Sequence, residues 1–398
     1  MANRGPYFGD LQNEIYLSGS RPALPLTVDG LEQAACGAMS DVAWAYVAGG
    51  ASTERTMMAN VAAFQRWRLV PRVLRGVVER DLSVELFGRR LAAPLLTAPV
   101  GALGVVHDEP ELCAARAAAS VGLGYVLSTV AQHPMEDVAA AAPDGVRWFQ
   151  LYWPGDDEVA ESLVRRAEAA GYAAIVVTVD TPTLGWRPRD LELASLPFLN
   201  GVGLANYLSD PVFRSRLAEP PESSAAALRT AVGQWIAMFS RPTLSWDDFA
   251  RLRRWTDLPV LVKGVCHPHD AQAAVDAGLD GIVVSNHGGR QVDGARAALD
   301  CLADIASAVG DRTTLLFDSG IRCGADVLIA LALGARAVLL GRPWVYGLAL
   351  AGQDGVTHVL RHLLADLELT MVLSGYRSPA ELSADSLVHD GVPPRTNG

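Results

Sequence analysis

Cysteine is scarce, and the five residues present (Cys36, Cys113, Cys266, Cys301 and Cys323) are scattered through 398 positions with no C-x-x-C spacing. An odd, dispersed set forms neither a disulfide framework nor a zinc site and suits reduced thiols, so no metal site is expected. No uninterrupted apolar stretch reaches the ~20 residues that a membrane helix needs. Residues 1–16 are polar and carry acids, unlike a secretory leader. No cluster of Lys and Arg breaks an acidic balance of net charge −11, which argues against a nucleic-acid or anionic-membrane partner. A soluble, cytoplasmic protein is the expectation.

What is abundant is apolar sequence, 50% of the chain, enough for a substantial core in one large domain or two ordinary ones. Short apolar runs recur, each followed by an Ala-rich helical pattern. From Leu91 onward the strand candidates are Ala93–Pro99, Gly124–Ser128, Trp148–Trp153, Ala174–Asp180, Pro259–Lys263, Gly281–Asn286, Thr314–Asp318 and Ala337–Gly341. Helical stretches such as Asp157–Ala170, His269–Ala277 and Ala325–Ala332 lie between them, most closing at a glycine. Strands that are continuously apolar suit a parallel sheet buried on both faces. Eight strand–helix units favour a closed α/β barrel, the (β/α)8 or TIM fold, over an open doubly wound sheet.

Two segments fall outside that rhythm. Residues 1–90 form an N-terminal extension with a helix expected around Gly30–Gly49. Residues 181–258, between the fourth and fifth strands, far exceed the ~2–6 residues of an ordinary βα connection and read as an insertion carrying a lid. Its middle, Ala218-Glu-Pro-Pro-Glu-Ser-Ser-Ala225, has a flexible composition. The expected organisation is a single domain over 1–398, with the barrel proper at 91–375.

Active sites of such barrels sit at the C-terminal ends of the strands. Those ends carry Gln150-Leu-Tyr152, Thr178-Val-Asp180, Lys263-Gly264, Ser285-Asn-His-Gly-Gly-Arg290, Asp318-Ser-Gly320 and Gly341-Arg342. Any one of these ionisable groups could belong to a structural salt bridge, but so many on one rim call for a ligand. The last two strands end in glycine with arginine close behind, Gly320-Ile-Arg322 and Gly341-Arg342, the usual place for a phosphate in this architecture.

Ser285-Asn-His-Gly-Gly-Arg-Gln291 closely resembles the signature of the FMN-dependent 2-hydroxy acid oxidizing family of glycolate and lactate oxidases. Tyr46-Val-Ala-Gly-Gly50, Phe149-Gln-Leu-Tyr152, Thr178-Val-Asp-Thr181, Leu261-Val-Lys-Gly264, Phe317-Asp-Ser-Gly-Ile-Arg322 and Leu340-Gly-Arg-Pro343 resemble it in the same order. Gly9–Tyr16, Gly185–Asp190 and Asn206–Phe213 are most similar to the lactate 2-monooxygenase branch. The resemblance implies FMN as cofactor, a small 2-hydroxy acid and O2 as reactants, and a homo-oligomer, tetramer or octamer.

It also implies roles. His287 would be the general base, Asp180 its orienting carboxylate, Tyr152 the partner of the substrate hydroxyl, and Lys263 the cation beside the flavin ring. Arg290, Arg187, Tyr46 and Tyr207 would hold the substrate or product. Pro99, Val100 and Gly101 would pack on the ring, with Ser128, Gln150, Thr178 and Ser285 at the ring edge. Asp318 would take the ribityl chain, and Gly320, Arg322, Gly341 and Arg342 the phosphate. Gly101 stands where glycolate and lactate oxidases have Ala, and Val130 where glycolate oxidase has Trp; both changes are expected to enlarge the pocket. His358 and His362, spaced i, i+4, read as a helix-surface pair, His267-Pro-His269 as helix capping, and Cys266 as an unactivated buried thiol. The leading function is oxidation of a lactate-like L-2-hydroxy acid with decarboxylation of the retained keto acid. The alternatives are a plain oxidase releasing keto acid and H2O2, on a larger substrate such as a mandelate, or a non-redox barrel that binds a phosphorylated metabolite.

Overall fold

The computed structural model describes residues 7–239 and 241–390. Eight short strands form its centre: β1 (Leu95–Thr97), β2 (Gly124–Ser128), β3 (Arg147–Leu151), β4 (Ile175–Thr178), β5 (Val260–Val265), β6 (Gly281–Val284), β7 (Thr314–Phe317) and β8 (Ala337–Leu340). They pair in parallel in the cyclic order β7-β8-β1-β2-β3-β4-β5-β6 and close a barrel. Every residue of β1, β2, β3, β4, β6 and β8 is buried, which is why their sequences run apolar without alternation. One set of side chains, including Leu96, Val126, Trp148, Val176, Leu261, Val283, Leu316 and Leu339, fills the interior. The other set meets the surrounding helices.

The eight expected strands are all present, displaced at their ends by at most two residues. Asp157–Ala169, Pro268–Asp276 and Gly324–Ala332 are helices as the sequence predicts. The single helix expected around Gly30–Gly49 is two, Val28–Ala38 and Asp41–Ala48. Ser40 breaks it by taking an extended backbone (ψ 159°) and accepting a hydrogen bond from Ala43 N as N-cap of the second. The extension also closes the far mouth of the barrel. A hairpin of Val84–Leu86 and Arg89–Leu91 inserts Val84, Leu86 and Leu91 into the interior cluster, and Phe87 meets Trp148 edge-on.

The insertion is largely helical, with its longest element at Ala225–Met238. In its middle, Ser224 caps that helix and Arg214 forms a two-pronged ion pair with Glu222. Phe198, Tyr207, Phe213, Trp235 and Phe239 make an aromatic cluster under it. No helix among the described residues is long and apolar enough to cross a membrane.

Candidate active site

A cavity opens at the C-terminal ends of the strands, and its wall contains Tyr46, Pro99, Val100, Gly101, Tyr152, Arg187, Lys263, His287, Arg290, Asp318, Gly320, Arg322, Gly341 and Arg342. Most of the residues singled out in the sequence therefore share one space, although they come from the extension, several strand ends and the insertion.

His287 follows β6 in a left-handed backbone conformation (φ 59°), continued by Gly288 (φ 64°) and Gly289 (φ 74°). Non-glycine residues rarely adopt this conformation unless their surroundings hold them there. Here the holders are numerous. His287 N donates to Ser285 Oγ (3.1 Å), Gly288 N to Ser319 Oγ (3.0 Å) and Gly289 N to Asn286 Oδ1 (3.1 Å). Asn286 also exchanges two 2.8 Å amide hydrogen bonds with Asn60 on the extension helix Arg55–Phe64.

The imidazole is fixed as firmly as its backbone. Nδ1 lies 2.9 Å from Asp180 Oδ1, and Nε2 faces the Tyr152 hydroxyl at 3.5 Å. Asp180 reaches this position because Gly264, at the bulge in β5, has no side chain; a Cβ there would lie 2.6 Å from the Asp180 carboxyl carbon. Burial lowers the His287 pKa, against the opposing pull of Asp180. Burial by itself would raise that of Asp180, but the charge and hydrogen bond of His287, with Lys263 beyond, leave it lowered. The resulting state near neutral pH is a carboxylate beside a neutral imidazole, with Nδ1–H directed at Asp180 and the Nε2 lone pair directed at the cavity.

Arg290 and Arg187 sit opposite. The Arg290 guanidinium donates to Gly49 O (2.6 Å) and stacks over the Tyr46 ring at 5.2 Å. Arg187 donates to Arg290 O (3.3 Å) and Gln291 Oε1 (3.1 Å). Neither has a carboxylate within ion-pair distance among the described residues. Burial, followed by repulsion from Arg187 and Arg342, pushes the Arg290 pKa down to about 9. Two guanidiniums with no direct carboxylate partner in a buried wall, and Asp190 acting on them only from beyond ion-pair distance, make a receptor for an anion, and their planar forks match a carboxylate.

On the barrel axis, the Lys263 ammonium pairs with Asp318 (3.0 Å) and donates to Ser285 Oγ (2.9 Å). Burial disfavours its charge, yet Asp318 and Asp180 outweigh it and the pKa is raised, so the lysine stays cationic. An ammonium paired in this way is unsuited to Schiff-base attack, which needs a neutral amine. Farther along, a helix begins at Arg342 with no side-chain cap at Gly341, and Arg322 lies beside it. Uncapped N–H groups next to a cation suit a phosphate. The Arg342 side chain is otherwise engaged, donating to the carbonyls of Val47, Gly49 and Gly288.

Of the other expected residues, Ser128, Gln150 and Thr178 are buried and bonded to one another, Ser128 Oγ to Gln150 Oε1 (3.1 Å) and Gln150 Nε2 to Thr178 Oγ1 (2.9 Å), and Ser128 Oγ lies 3.0 Å from where a Cβ on Gly101 would stand. Ser285 is wholly buried and serves Lys263 and His287. Tyr207 is not in the site. Its short helix, Ala205–Leu208, turns it into the insertion's own core against Phe213 and Trp235. Gly101 does not enlarge the pocket by itself, because Val130 occupies the space, 2.4 Å from where a Cβ at 101 would stand. His358 and His362 pair on the last helix with ring centroids 4.0 Å apart, half-buried against the extension where His358 faces Pro25 O at 3.0 Å. No metal-ligand cluster occurs among the described residues. His267 caps His269 as expected, and Cys266 donates to Ser285 O (3.0 Å), its Cys301 neighbour and then burial holding the thiol protonated. Sequence reasoning missed Leu184, Phe198 and Phe239, the apolar wall supplied by the insertion, since nothing in their spacing links them to the strand ends.

A barrel that sets a neutral imidazole against two unpaired arginines, above a buried cation and a phosphate-ready helix start, is an oxidoreductase scaffold for carboxylate substrates. The chain belongs to the FMN-dependent dehydrogenase family, whose model matches residues 35–389. It is 44% identical over 384 residues to the FMN-dependent alpha-hydroxy acid dehydrogenase qulF of Penicillium citrinum, covering 96% of each chain. It is also 44% identical over 369 residues to an L-lactate oxidase of Lysinibacillus sphaericus, covering 92% of this chain and 94% of that one. Among solved structures, mandelate oxidase with (S)-4-hydroxymandelic acid aligns with a TM-score of 0.81 at 39% identity, over 92% of this chain and 98% of that one. The protein is thus an FMN-dependent oxidoreductase of 2-hydroxy acids.

Proposed function

We propose that the protein oxidises a small L-2-hydroxy acid of lactate type with O2, and that it retains the keto acid long enough to decarboxylate it. The observation that carries this reading is Arg187. The insertion that roofs the cavity also supplies one of the two carboxylate-seeking guanidiniums, so closure and anion binding are joined in one segment. Arg290 and Arg187 grip the carboxylate, with Tyr46 beside them. Tyr152 and His287 Nε2 face the hydroxyl-bearing carbon. Nε2 takes a proton from the substrate as that carbon is oxidised, and Asp180 stabilises the imidazolium.

FMN bound here would supply the two-electron redox chemistry that links the hydroxy acid to O2. Lys263 would place positive charge at its ring, Pro99 to Gly101 would pack on it, Asp318 would take the ribityl hydroxyls, and the helix start at Arg342 with Arg322 would hold the phosphate. A keto acid still held by the arginines then meets hydrogen peroxide at high effective concentration, giving the shortened acid, CO2 and water. The test is oxygen uptake on L-lactate with and without catalase, alongside acetate quantification. Stoichiometric acetate without free peroxide is expected; free peroxide and pyruvate in equal amounts would leave a plain oxidase.

A larger substrate is the second reading. Leu184, Phe198, Phe239 and Val130 give the cavity an apolar wall that would accept an aryl group, as in the mandelate oxidase structures. A substrate panel comparing lactate with mandelate by kcat/KM decides between them.

A further inference from the structure

We propose that Gln291 is a positioning residue that locks the root of the insertion to the catalytic loop and so aims Arg187 at the substrate; this rests on the reading of Arg187 as a carboxylate ligand. Its side-chain amide uses every hydrogen-bonding direction on this one junction. Nε2 donates to Asp180 O and to Thr183 O, both at 2.9 Å. Oε1 accepts from Gly185 N (3.2 Å) and from Arg187 Nη2 (3.1 Å). One amide therefore joins the segment carrying Asp180, the first turn of the insertion and the substrate arginine.

The backbone confirms how close that approach is. A Cβ on Gly185 would stand 2.4 Å from Arg290 O and 2.9 Å from Gln291 Cα, so only glycine lets the two strands of chain meet. Arg187 also donates to Arg290 O, which leaves its guanidinium suspended between Gln291 and the backbone of its partner arginine. A long, flexible side chain held by a neutral amide keeps its full charge for the ligand, whereas a carboxylate in the same place would neutralise it. The amide thus orients the cation without competing for it.

The test uses the FMN-loaded protein and oxalate, a substrate-like dianion whose binding is read from the flavin absorbance. Arg187→Ala, Gln291→Ala and the double variant form a cycle. Gln291→Ala should weaken oxalate binding about tenfold and act on KM more than on kcat, with flavin content unchanged. If Gln291 works through Arg187, the double variant should bind oxalate no worse than Arg187→Ala alone. Gln291→Glu keeps the shape but sets an anion on Arg187, and should weaken oxalate binding at least as much; it serves also if the alanine variant fails to fold. Additive effects, or unchanged oxalate binding in both Gln291 variants, overturn the positioning role while leaving the function intact. No effect of Arg187→Ala overturns both the positioning role and the assignment of Arg187 beneath it.

Discussion

His287 Nδ1 and Asp180 Oδ1 lie 2.9 Å apart, and burial nonetheless holds the imidazole below its ordinary pKa of 6.5. The base must be neutral to accept a proton, so a depressed pKa extends activity toward acid. The acid limb of kcat/KM should fall below the pH at which a free imidazole titrates. Asp180→Asn removes the one charge that raises the His287 pKa strongly, so the limb should move further toward acid. Turnover should also drop about 10²–10⁴-fold, since no anion then stabilises the imidazolium. A limb that moves toward higher pH in this variant would assign it to another group.

His287→Ala should keep FMN bound, because most of the residues proposed to hold the cofactor lie on other strands, yet slow flavin reduction by at least ~10²–10⁴-fold. Stopped-flow reduction by substrate reads the step directly. Reduction at the parent rate would remove His287 from the chemistry.

The barrel and most of this site were legible in the sequence for a physical reason. Parallel strands buried on both faces are predominantly apolar, and functional groups cluster where the strands end, so both features are local in the chain. Gln150, Thr178 and Ser128 were found for the same reason, but their mutual hydrogen bonds depend on the register between neighbouring strands. Tyr207 was misplaced because a tyrosine on an insertion looks the same whether its helix turns it toward the site or toward its own core. Phe198 and Phe239 were invisible since the insertion folds by aromatic packing, which leaves no fixed spacing.

Arg290→Lys should lower kcat/KM by roughly 10–10²-fold, with both affinity and reduction rate affected. Lysine keeps a charge but cannot both donate to Gly49 O and present a fork to the carboxylate. If kcat/KM is unchanged, Arg187 carries the carboxylate alone.

Gly101→Ala sets a methyl group against Val130, 2.4 Å from Cγ2 and 2.7 Å from the carbonyl oxygen. Overpacking of this kind costs about 1–3 kcal/mol. Thermal unfolding should show the loss, and adding Val130→Ala should recover only part of it, because the carbonyl contact persists. Full stability in Gly101→Ala alone would mean that the loop yields freely, and the pocket at this position would then be adjustable by a single methyl group.

The last prediction concerns Asn60, which is remote from any substrate atom. Its side chain is 1% exposed and exchanges two hydrogen bonds with Asn286, while its oxygen also accepts from Ala298 N at 3.0 Å. Asn286 in turn precedes His287, whose left-handed backbone depends on the hydrogen bonds around it. Asn60→Ala leaves buried donors and an acceptor without partners, each worth about 1–3 kcal/mol. The loop can relieve that deficit only by moving, and a shift of about 1 Å in the base costs on the order of 10²-fold in rate. The expected result is a lower unfolding temperature together with a fall in kcat that exceeds the loss of oxalate affinity, since Arg290 is also held by Gly49 O on the extension. Asn60→Asp keeps the acceptor but loses the donor to Asn286 Oδ1, and should fall between the two. If kcat survives Asn60→Ala while stability drops, the catalytic loop holds its conformation unaided, and the extension helix is a stabilising element with no share in placing the base.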